Sequence, residues 1–347
     1  MDKRVKVALG AVGGIVVLSA GAFFLLGNRP SDIPIIKEIT APATCPLSGS
    51  EPAKEAALDR PAVAVKIENA AIAYPLSGLE DAELVYEELV EGGVTRFMAV
   101  YHCTDSTKAG PVRSARVVDP AIMGAITRIL AYSGQNAPVL RALEEAEVVR
   151  LDETEAGEGL QRIERSGISM EHTLYADTKI LRKLGTKEFD DPPPGDTFTF
   201  GDIEGKTKPA KQIEINFNPV NTIRYDWSDD GWLRFEADEP FMAESGDQII
   251  VNNVLIEEHE VIFSNTITDV AGNPSLEIAN ETGSGRAFLF RDGQVIKGKW
   301  SREDVGDAVT FETKEGDEFV FAPGSIWIEL LPSKKGEVKG SFDFKKK

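Results

Sequence analysis

One long apolar segment near the start of the chain constrains the fold more than any other feature of the sequence. Residues 7–26 are twenty consecutive residues without a charged side chain. A helix needs about twenty apolar residues to cross the hydrocarbon core of a bilayer, which is about 30 Å thick. The sequence therefore predicts an N-terminal transmembrane helix within residues 1–27, with the cytoplasmic membrane as the partner of this helix.

Charged residues on either side of this segment predict its orientation. Lys3, Arg4 and Lys6 precede the segment, and a long acidic chain follows it. By the positive-inside rule, this pattern predicts a single-pass protein of the cell membrane with a cytoplasmic N-terminus and an extracytoplasmic bulk. A signal peptide cleaved after Ala22 is the alternative, because residues 20–22 are small, as at a cleavage site. Both alternatives predict that most of the chain is exported.

The net charge restricts the class of partner. The chain carries a formal charge of −19, because 57 Asp and Glu residues outnumber 38 Lys and Arg residues. Binding to nucleic acid needs clustered Lys and Arg to neutralise phosphates, so the composition excludes a nucleic-acid partner. A hydrophobic fraction of 42% is typical of globular protein and excludes a fully disordered chain.

Cysteine and histidine usage predicts a disulfide and no metal site. An exported protein with two cysteines favours a Cys45–Cys103 bridge, although two separate thiols or an intermolecular bond are alternatives. His102, His172 and His259 lie far apart in the sequence, and no Cys-x-x-Cys motif occurs. Phosphate-binding and dinucleotide-binding motifs are also missing from the sequence, so no cofactor is predicted.

The pattern of apolar residues divides the exported part into two predicted domains. A Pro-rich stalk at 28–57 precedes a mixed α/β domain at 58–190, in which strand-like and helix-like runs alternate. A linker at 191–210 leads to a β-dominated domain at 211–332, where short runs are separated by tight turns. A basic, disordered tail is predicted at 333–347. The predicted fold class is α+β with a transmembrane helix.

Several elements of the first domain are predicted individually. Residues 61–67, 84–86 and 96–101 have the β-branched and apolar character of strands. Residues 80–91 also fit a helix, because Leu84, Val85 and Leu89 would share one helical face, and this alternative stays open. Residues 119–130 predict a further helix.

Two clusters of polar residues in the first domain come from predicted strands. Glu68 and Asn69 follow an apolar strand, and functional side chains often lie where strands end. Glu87 and Glu91 precede a Gly-Gly turn, and either carboxyl is a candidate general acid or a ligand for sugar hydroxyls. The alternatives are a solvated strand end and a charged hairpin surface.

Two further clusters carry cationic groups. Arg113 and Arg116 are three residues apart, so they would face one side of a helix and, with its N-terminal N–H groups, bind an anion. They could equally be internal partners of Glu87 or Glu91. His172 lies in a polar loop as a candidate proton shuttle, although a structural role is the alternative.

Six stretches, taken together and in this order, resemble the YerB-like family of bacterial envelope proteins, which contain two adjoining domains of unknown function. The stretches are RPAVAVKIENA (60–70), PLSGLEDAELVYEELVEGGVTRFMAVY (75–101), GPVRSAR (110–116), EHTLY (171–175), GSGRAFLFRDGQVIKGKW (283–300) and GSIWIELLP (324–332). The resemblance covers about residues 45–332. It implies a membrane-anchored or lipid-anchored protein at the outer face of a Gram-positive cell, here of an actinobacterial type.

The resemblance also selects residues and shows departures from the family pattern. Met170 to Thr173 replace an expected Ala-Pro-His-Asn, Glu68 replaces an Asp, and Tyr74 replaces an Arg. The cysteine pair fits members in which a membrane helix replaces a lipidated N-terminus. The polar residues selected by matching motif positions are Glu68, Asn69, Glu87, Glu91, Arg96, Arg113, Arg116, His172 and Tyr175.

Two functions are predicted from these residues. The favoured one is a non-enzymatic envelope protein that binds a cell-wall glycan, a peptide or a protein partner through a groove lined by Arg and Glu in the first domain. The alternative is an enzyme that cleaves peptidoglycan glycan strands with Glu87 or Glu91 as general acid. The catalytic candidates are Glu87, Glu91 and His172. The ligand-binding candidates are Glu68, Asn69, Arg96, Arg113, Arg116 and Tyr175.

Overall fold

The computed structural model of the protein describes residues 43–203, 205–268 and 272–346. The predicted transmembrane helix within 1–27 and the first part of the predicted stalk lie outside these residues. No helix in the described part of the chain is long and apolar enough to cross a membrane.

The predicted α+β class with a mixed α/β first domain is wrong, because the protein is mostly β. Strands make up 42% of the structure and helical residues 13%. The α-helices are short: α1 (Asp119–Met123), α2 (Ala137–Glu145) and α3 (Thr178–Gly185). The helix predicted at 119–130 stops at Met123, because residues 129–131 already form a buried strand.

Strands fill most of the remaining chain. In the first half they are β1 (Val63–Glu68), β2 (Leu84–Leu89), β3 (Thr95–Tyr101), β4 (Ile129–Ala131), β5 (Val149–Leu151), β6 (Leu160–Arg162), β7 (Leu174–Ala176), β8 (Thr199–Phe200) and β9 (Lys208–Pro209). In the second half they are β10 (Gln212–Asn218), β11 (Asn221–Ser228), β12 (Gly231–Glu236), β13 (Glu239–Pro240), β14 (Ile250–Val251), β15 (Asn253–His259), β16 (Val261–Thr268), β17 (Pro274–Ile278), β18 (Gly283–Arg291), β19 (Gln294–Arg302), β20 (Thr310–Thr313), β21 (Val320–Phe321), β22 (Ile326–Pro332) and β23 (Ser341–Lys345). Short 3-10 turns lie at Glu55–Ala57, Ala71–Ala73, Leu79–Asp81, Glu91–Gly93, Gly157–Gly159 and Met170–His172.

One long sheet runs through both predicted domains in the order β20-β19-β18-β15-β22-β2-β3-β1-β4-β5. Strand β22 pairs in parallel with β15 on one side and with β2 on the other. All seven residues of β22 are buried, as expected of a central parallel strand that is covered on both faces. The domain boundaries themselves remain a prediction.

A second sheet, in the order β13-β12-β11-β10-β23, packs on one face of the long sheet. Val65, Phe97 and Trp327 of the long sheet share an apolar core with Ile215 and Trp232 of the second sheet. Each such buried side chain contributes about 1.5–3 kcal/mol of hydrophobic stabilisation. This core therefore fixes the two sheets against each other.

The opposite face of the long sheet is covered by helices. Because successive side chains of a strand point to opposite faces, Met98 lies on the face opposite Phe97. Met98 and Leu130 pack in a second core with Met123 of α1 and Leu143 of α2. This layer carries the loops and helix ends that surround the candidate site.

The helical alternative for residues 80–91 is wrong, because residues 84–89 form β2. This strand lies between β22 and β3, and all six of its residues are buried. Apolar residues on a strand buried on both faces do not alternate with polar ones, so the sequence pattern also matched a helix.

The predicted disordered tail at 333–347 is also corrected. Residues 341–345 form β23, which pairs antiparallel with β10 at the edge of the second sheet. Phe342 and Phe344 of this strand pack against Phe290, with ring centroids 6.4 and 5.6 Å apart. The aromatic contacts of the tail therefore outweigh its high lysine content.

Parts of the predicted stalk and linker are packed as well. Cys45 and Cys103 form the predicted disulfide, which ties the chain before β1 to the end of β3. Leu47 is fully buried beside this bridge. In the predicted linker, Phe198 is buried and β8 pairs with β21.

Candidate functional site

A polar cleft with a volume of about 630 Å³ lies where β1 and the loop before β3 meet two loops of the helical layer. Its lining is dominated by charged and hydrogen-bonding side chains. Residues of the lining are Glu68, Asn69, Ala70, Glu91, Val94, Thr95, Arg96, Arg113, Ser114, Ala115, Arg116, Gly134, Gln135, Asn136, Val139, His172, Thr268 and Ser275. We call this feature the arginine cleft.

The register of three strands places the floor of the cleft. Glu68 of β1 lies opposite Arg96 of β3, which in turn lies opposite Glu88 of β2. Residues directly opposite in neighbouring strands project to the same face of a sheet, with Cβ atoms about 4.5–5.5 Å apart. A carboxylate, a guanidinium and a second carboxyl therefore form one row, and the first two line the cleft.

Residues 110–116 supply the other two arginines, but not from a helix as the sequence predicted. The backbone N–H of Arg113 donates to the carbonyl of Lys66 at 2.9 Å, and that of Val112 donates to the carbonyl of Leu174 at 2.7 Å. The segment is thus held in extended form between the end of β1 and β7. The helix α1 begins only at Asp119.

Glu68 contacts His172 and Arg113 on one side of the cleft. Its Oε2 lies 2.7 Å from Nδ1 of His172, and its Oε1 lies 3.5 Å from Nε of Arg113. Arg113 also donates from Nη1 to the carbonyl of Glu171 at 3.0 Å. His172 and Glu68 are 8% and 3% exposed, so this cluster forms a largely buried wall of the cleft.

Glu91 and Arg116 form a close ion pair on the opposite side. Oε2 of Glu91 accepts hydrogen bonds from Nη2 of Arg116 at 2.5 Å and from Nε at 3.1 Å. Burial alone would raise the pKa of Glu91, but Arg116 and the side chain of Ser275 lower it below its usual value. Glu91 is therefore a carboxylate at neutral pH.

Arg96 differs from the other two arginines because it forms no ion pair with a carboxylate of the described residues. Its Nη1 donates to the carbonyl of Ser114 at 2.9 Å. Its Nε is buried and has no hydrogen-bond partner in the described part of the chain. Burial, followed by the nearby Arg116 and Arg113, lowers the pKa of Arg96 to about 9.

A helix end and a hairpin complete the cleft. Asn136 caps α2 through a hydrogen bond from the backbone N–H of Val139 to its Oδ1, at 3.0 Å. The N-terminus of this helix carries a partial positive charge toward the cleft. Asn136 also donates from Nδ2 to the carbonyl of Thr268 at 3.4 Å, which joins the helix to the hairpin of β16 and β17.

The structure brings most of the predicted polar residues together. Those that line the cleft are Glu68, Asn69, Glu91, Arg96, Arg113, Arg116 and His172. Glu87 does not line it, because Glu87 projects to the other face of β2 and binds Arg234 at 2.8 Å. Tyr175 is also absent from the lining, and its hydroxyl group accepts a hydrogen bond from Arg165 at 3.1 Å.

Some parts of the site were missed from the sequence. The cap residue Asn136 had a readable signal, because Asn followed by Ala-Pro is typical of a helix start. Thr268 and Ser275 had none, since they reach the cleft only through the packing of a distant hairpin. The buried contacts of Lys66 with Glu88 at 2.5 Å and Asp119 at 2.6 Å were not predicted either.

Potential metal ligands come together outside the cleft. In the described ranges, Cys45, Glu83 and Cys103 form a group whose donor atoms lie within 4.8 Å of one another. Both sulfur atoms of this group are joined in the disulfide. Because metals bind the thiolate form of cysteine, this group does not form a metal site while the bridge is intact.

Comparison with known proteins gives two similar relatives. A Bacillus subtilis (strain 168) protein named "Putative lipoprotein YerB" is 26% identical over 303 residues, which cover 83% of this chain and 86% of that protein. The crystal structure of the YerB protein from Bacillus subtilis matches with a TM-score of 0.70 and 22% identity, over 86% of this chain and 99% of that one. The second comparison shows that the two chains share a fold.

The name of this relative corrects the predicted localisation. The sequence predicted a single-pass protein of the cell membrane with a transmembrane signal anchor. The relative is named as a lipoprotein, a class that is attached to membranes through lipid rather than through a spanning helix. The single-pass localisation is therefore wrong; the segment on which it was based, within 1–27, lies outside the described residues.

Family models account for most of the described chain. Residues 47–190 match the N-terminal domain of the protein of unknown function DUF3048. Residues 213–328 match the C-terminal domain of the same family. The arginine cleft lies mainly within the first match, and Thr268 and Ser275 add to it from the second. The chain therefore belongs to the DUF3048 family of proteins and carries both of its domains side by side.

Proposed function

We propose that this protein is a cell-envelope protein that binds, without cleaving it, an anionic fragment of the cell wall in the arginine cleft. The observation that carries this proposal is the convergence of Arg96, Arg113 and Arg116 on one cleft of a chain whose net charge is −19. Guanidinium groups are the side chains best suited to bind carboxylates and phosphates. The N-terminus of α2 adds to the positive potential of the same cleft.

The remaining lining suits a ligand that also carries hydroxyl and amide groups. Glu68 offers acceptor oxygens, and Asn69, Gln135 and Ser275 offer both donors and acceptors. The volume of about 630 Å³ falls within the usual range of about 300–1,000 Å³ for small-ligand sites. A peptidoglycan fragment combines carboxylates, sugar hydroxyls and amides in a molecule of this size.

The location in the envelope is supported by two further observations. The Cys45–Cys103 disulfide is typical of proteins outside the reducing cytosol. The relative from Bacillus subtilis is named as a lipoprotein. Both observations support a location outside the cytosol, where the protein can contact the cell wall.

The chemistry of the two candidate acids favours binding over cleavage. A general acid in a glycosidase needs a carboxyl group whose pKa is raised, so that it carries a proton at working pH. The pKa of Glu91 is lowered, and Glu91 is already bound to Arg116. Glu87 is 1% exposed, bound to Arg234 and outside the cleft lining. Neither residue is placed to protonate a glycosidic oxygen in the cleft.

Isothermal titration calorimetry with purified muropeptides tests the proposal. We expect the protein to bind them and the Arg113→Gln variant to bind at least about tenfold more weakly, because the variant loses one positive charge from the wall of the cleft. Arg286→Gln is the matched control, since Arg286 is an exposed arginine paired with Glu258 away from the cleft. Lack of binding by the wild type would contradict the proposal. Release of soluble fragments from peptidoglycan that Glu91→Gln abolishes would establish the enzymatic alternative instead.

A further inference from the structure

Among the described residues that line the cleft, Arg96 is the arginine without an ion pair to a carboxylate. Arg113 lies 3.5 Å from the carboxylate of Glu68, and Arg116 is bound to Glu91. Within the described ranges, Arg96 forms no ion pair with a carboxylate, and its hydrogen bond to Ser114 uses only Nη1. Arg96 is 8% exposed, and its Nε, like those of Arg113 and Arg234, has no hydrogen-bond partner among the described residues.

The two carboxyl groups directly opposite Arg96 in the neighbouring strands contact other side chains. Glu68, opposite Arg96 in β1, contacts His172 and Arg113. Glu88, opposite Arg96 in β2, binds Lys66 at 2.5 Å. The strand register therefore places Arg96 between Glu68 and Glu88, but Arg96 forms no ion pair with either of these two residues.

An unpaired buried charge costs stability, and Arg96 is in such a state. Burial and the charges of Arg116 and Arg113 disfavour its cationic form, against the opposing effect of Glu88 and Glu91, and lower its pKa to about 9. Arg234 shows the opposite arrangement in the same molecule, because it is fully buried but bound to both Glu87 and Glu236. A buried arginine with a structural role is expected to be paired as Arg234 is. Residues kept at a cost to stability are typical of functional sites.

We infer that Arg96 binds a single, singly charged carboxylate group of the ligand, which supplies its missing counter-ion. This inference rests on the proposed binding function of the arginine cleft. Nη2 of Arg96 forms no hydrogen bond within the part of the chain described, so it is the donor that remains for the ligand. Arg96 is thereby a specificity-determining residue, and Arg113 and Arg116 hold the walls of the cleft.

The charges that line the cleft determine the charge of the ligand group. Three guanidinium groups face two carboxylates, those of Glu68 and Glu91. One negative charge balances this set. A doubly charged phosphate monoester would instead place excess negative charge beside two carboxylates, which is unfavourable at these short distances.

N-Acetylmuramic acid and N-acetylglucosamine provide a matched pair of probes, because the first is the second with a carboxylate-bearing lactyl group added. We expect the wild-type protein to bind N-acetylmuramic acid at least about tenfold more tightly than N-acetylglucosamine in calorimetry. In the Arg96→Met variant, affinity for the acid should fall by about thirtyfold or more, and the discrimination between the two sugars should disappear.

The melting temperature of ligand-free Arg96→Met provides a second readout. A structural role of Arg96 predicts a lower melting temperature for this variant, whereas a role in ligand binding does not. We expect Arg96→Met to melt at the same temperature as the wild type or higher, because an unpaired buried charge is removed. Arg234→Met, the paired control, should melt at a lower temperature. A lower melting temperature for Arg96→Met overturns the inference, and so does failure of this variant to fold.

Further outcomes separate this inference from the proposed function. Binding of muropeptides by the wild type, with unchanged affinity in Arg96→Met, overturns the role of Arg96 and leaves the function standing. Equal affinity of the wild type for the two sugars would overturn the inference that the protein recognises the carboxylate group. Absence of muropeptide binding by the wild type overturns the proposed function itself. The Arg96→Lys variant, which keeps the charge but loses the planar donor group, should retain intermediate affinity for the acid.

Discussion

Nη2 of Arg234 donates a hydrogen bond of 2.8 Å to Oε2 of Glu87, although 147 positions separate the two residues in the chain. Arg234 belongs to β12 of the second sheet, and Glu87 belongs to β2 of the long sheet. The side chains are 0% and 1% exposed. The guanidinium of Arg234 also lies 4.2 Å from the ring centroid of Phe241. A paired charge thus lies at the centre of the contact between the two sheets.

Removal of this cation should destabilise the protein strongly. In Arg234→Met the apolar chain is retained, but the carboxylate of Glu87 is left buried without its counter-ion. Breaking a buried ion pair in this way costs about 3–5 kcal/mol. Urea denaturation at neutral pH measures this difference in the free energy of unfolding.

Arg286→Met is the control for the general effect of replacing an arginine by a methionine. Arg286 is paired with Glu258, but its side chain is 64% exposed, so the change should stay within about 1 kcal/mol. The double variant Arg234→Met/Glu87→Leu removes both charges and should regain part of the lost stability. Equal stability of Arg234→Met and the wild type would contradict the role assigned to this ion pair.

Glu329 should make the stability of the protein fall as pH rises. It lies opposite Glu87 in the register of β2 and β22. Burial, followed by the negative charge of Glu87, raises its pKa well above the usual value, against the effect of Arg234. A carboxyl with a raised pKa in the folded state contributes stability that is fully present below its unfolded pKa. This contribution is lost as pH rises through the folded pKa.

The Glu329→Gln variant tests this dependence, because Gln keeps the shape and an acceptor for the hydroxyl group of Tyr225. Tyr225 donates to Oε1 of Glu329 at 2.5 Å. The free energy of unfolding of the variant should increase relative to that of the wild type as pH rises from about 5 to about 9. Urea denaturation at several pH values gives both curves. Parallel curves would show that Glu329 does not titrate differently in the two states.

The neighbouring residues Glu87 and Glu88 show why the site could be predicted only in part. The two carboxyl groups are adjacent in the sequence, yet successive strand residues point to opposite faces. Glu87 binds Arg234 between the sheets, and Glu88 binds Lys66 on the face of the helical layer. Every residue of β2 is buried, so no polar and apolar alternation indicated which carboxyl would face which side.

The sequence predicted the cleft residues that lie in short polar motifs, but not those that a distant hairpin contributes. Glu68, Arg96, Arg113 and His172 came from short polar stretches. Backbone pairing of β1 with β3 and of Ile67 with Val112 brings three of those stretches together. The hairpin that contributes Thr268 carries no local signal for this contact. Its position depends on long-range packing of the second half of the chain, which a single sequence does not encode in any short pattern.

The sequence of the tail contains a strand pattern, but its high lysine content led to the wrong prediction of disorder. Ser341–Lys345 alternates polar residues with Phe342 and Phe344, as expected of a half-buried strand. The surrounding lysines favoured a prediction of disorder instead. Pairing with β10 and ring contacts with Phe288 and Phe290 fix this strand in the structure.

Phe342→Ala should therefore destabilise the protein. Phe342 packs edge-on against Phe288, with ring centroids 4.7 Å apart, and the residue is partly buried. Loss of this contact and of the buried area should cost about 1–3 kcal/mol in the free energy of unfolding. Phe263→Ala is the control, because Phe263 is 49% exposed and should matter less. A disordered tail would give the same unfolding curve for Phe342→Ala and the wild type.

Glu91 discriminates between binding and catalysis most directly. Its carboxylate neutralises Arg116 and adds negative charge to the cleft. Glu91→Gln removes that charge with little change in size, so an anionic ligand should bind about three- to tenfold more tightly. A general acid, in contrast, would lose its activity on the same change. Titration of muropeptides into the variant and the wild type measures the difference in affinity.

The pH dependence of this effect follows from the lowered pKa of Glu91. An acid with a lowered pKa stabilises the folded state above its unfolded pKa, and this contribution is lost as pH falls through the folded pKa. Affinities of wild type and Glu91→Gln should therefore differ throughout the neutral range and converge only in strong acid. Glu147→Gln is the control, since Glu147 is 79% exposed and pairs with Arg128 outside the cleft. Weaker binding by Glu91→Gln than by this control would show that Glu91 contacts the ligand as an acceptor instead of opposing its charge.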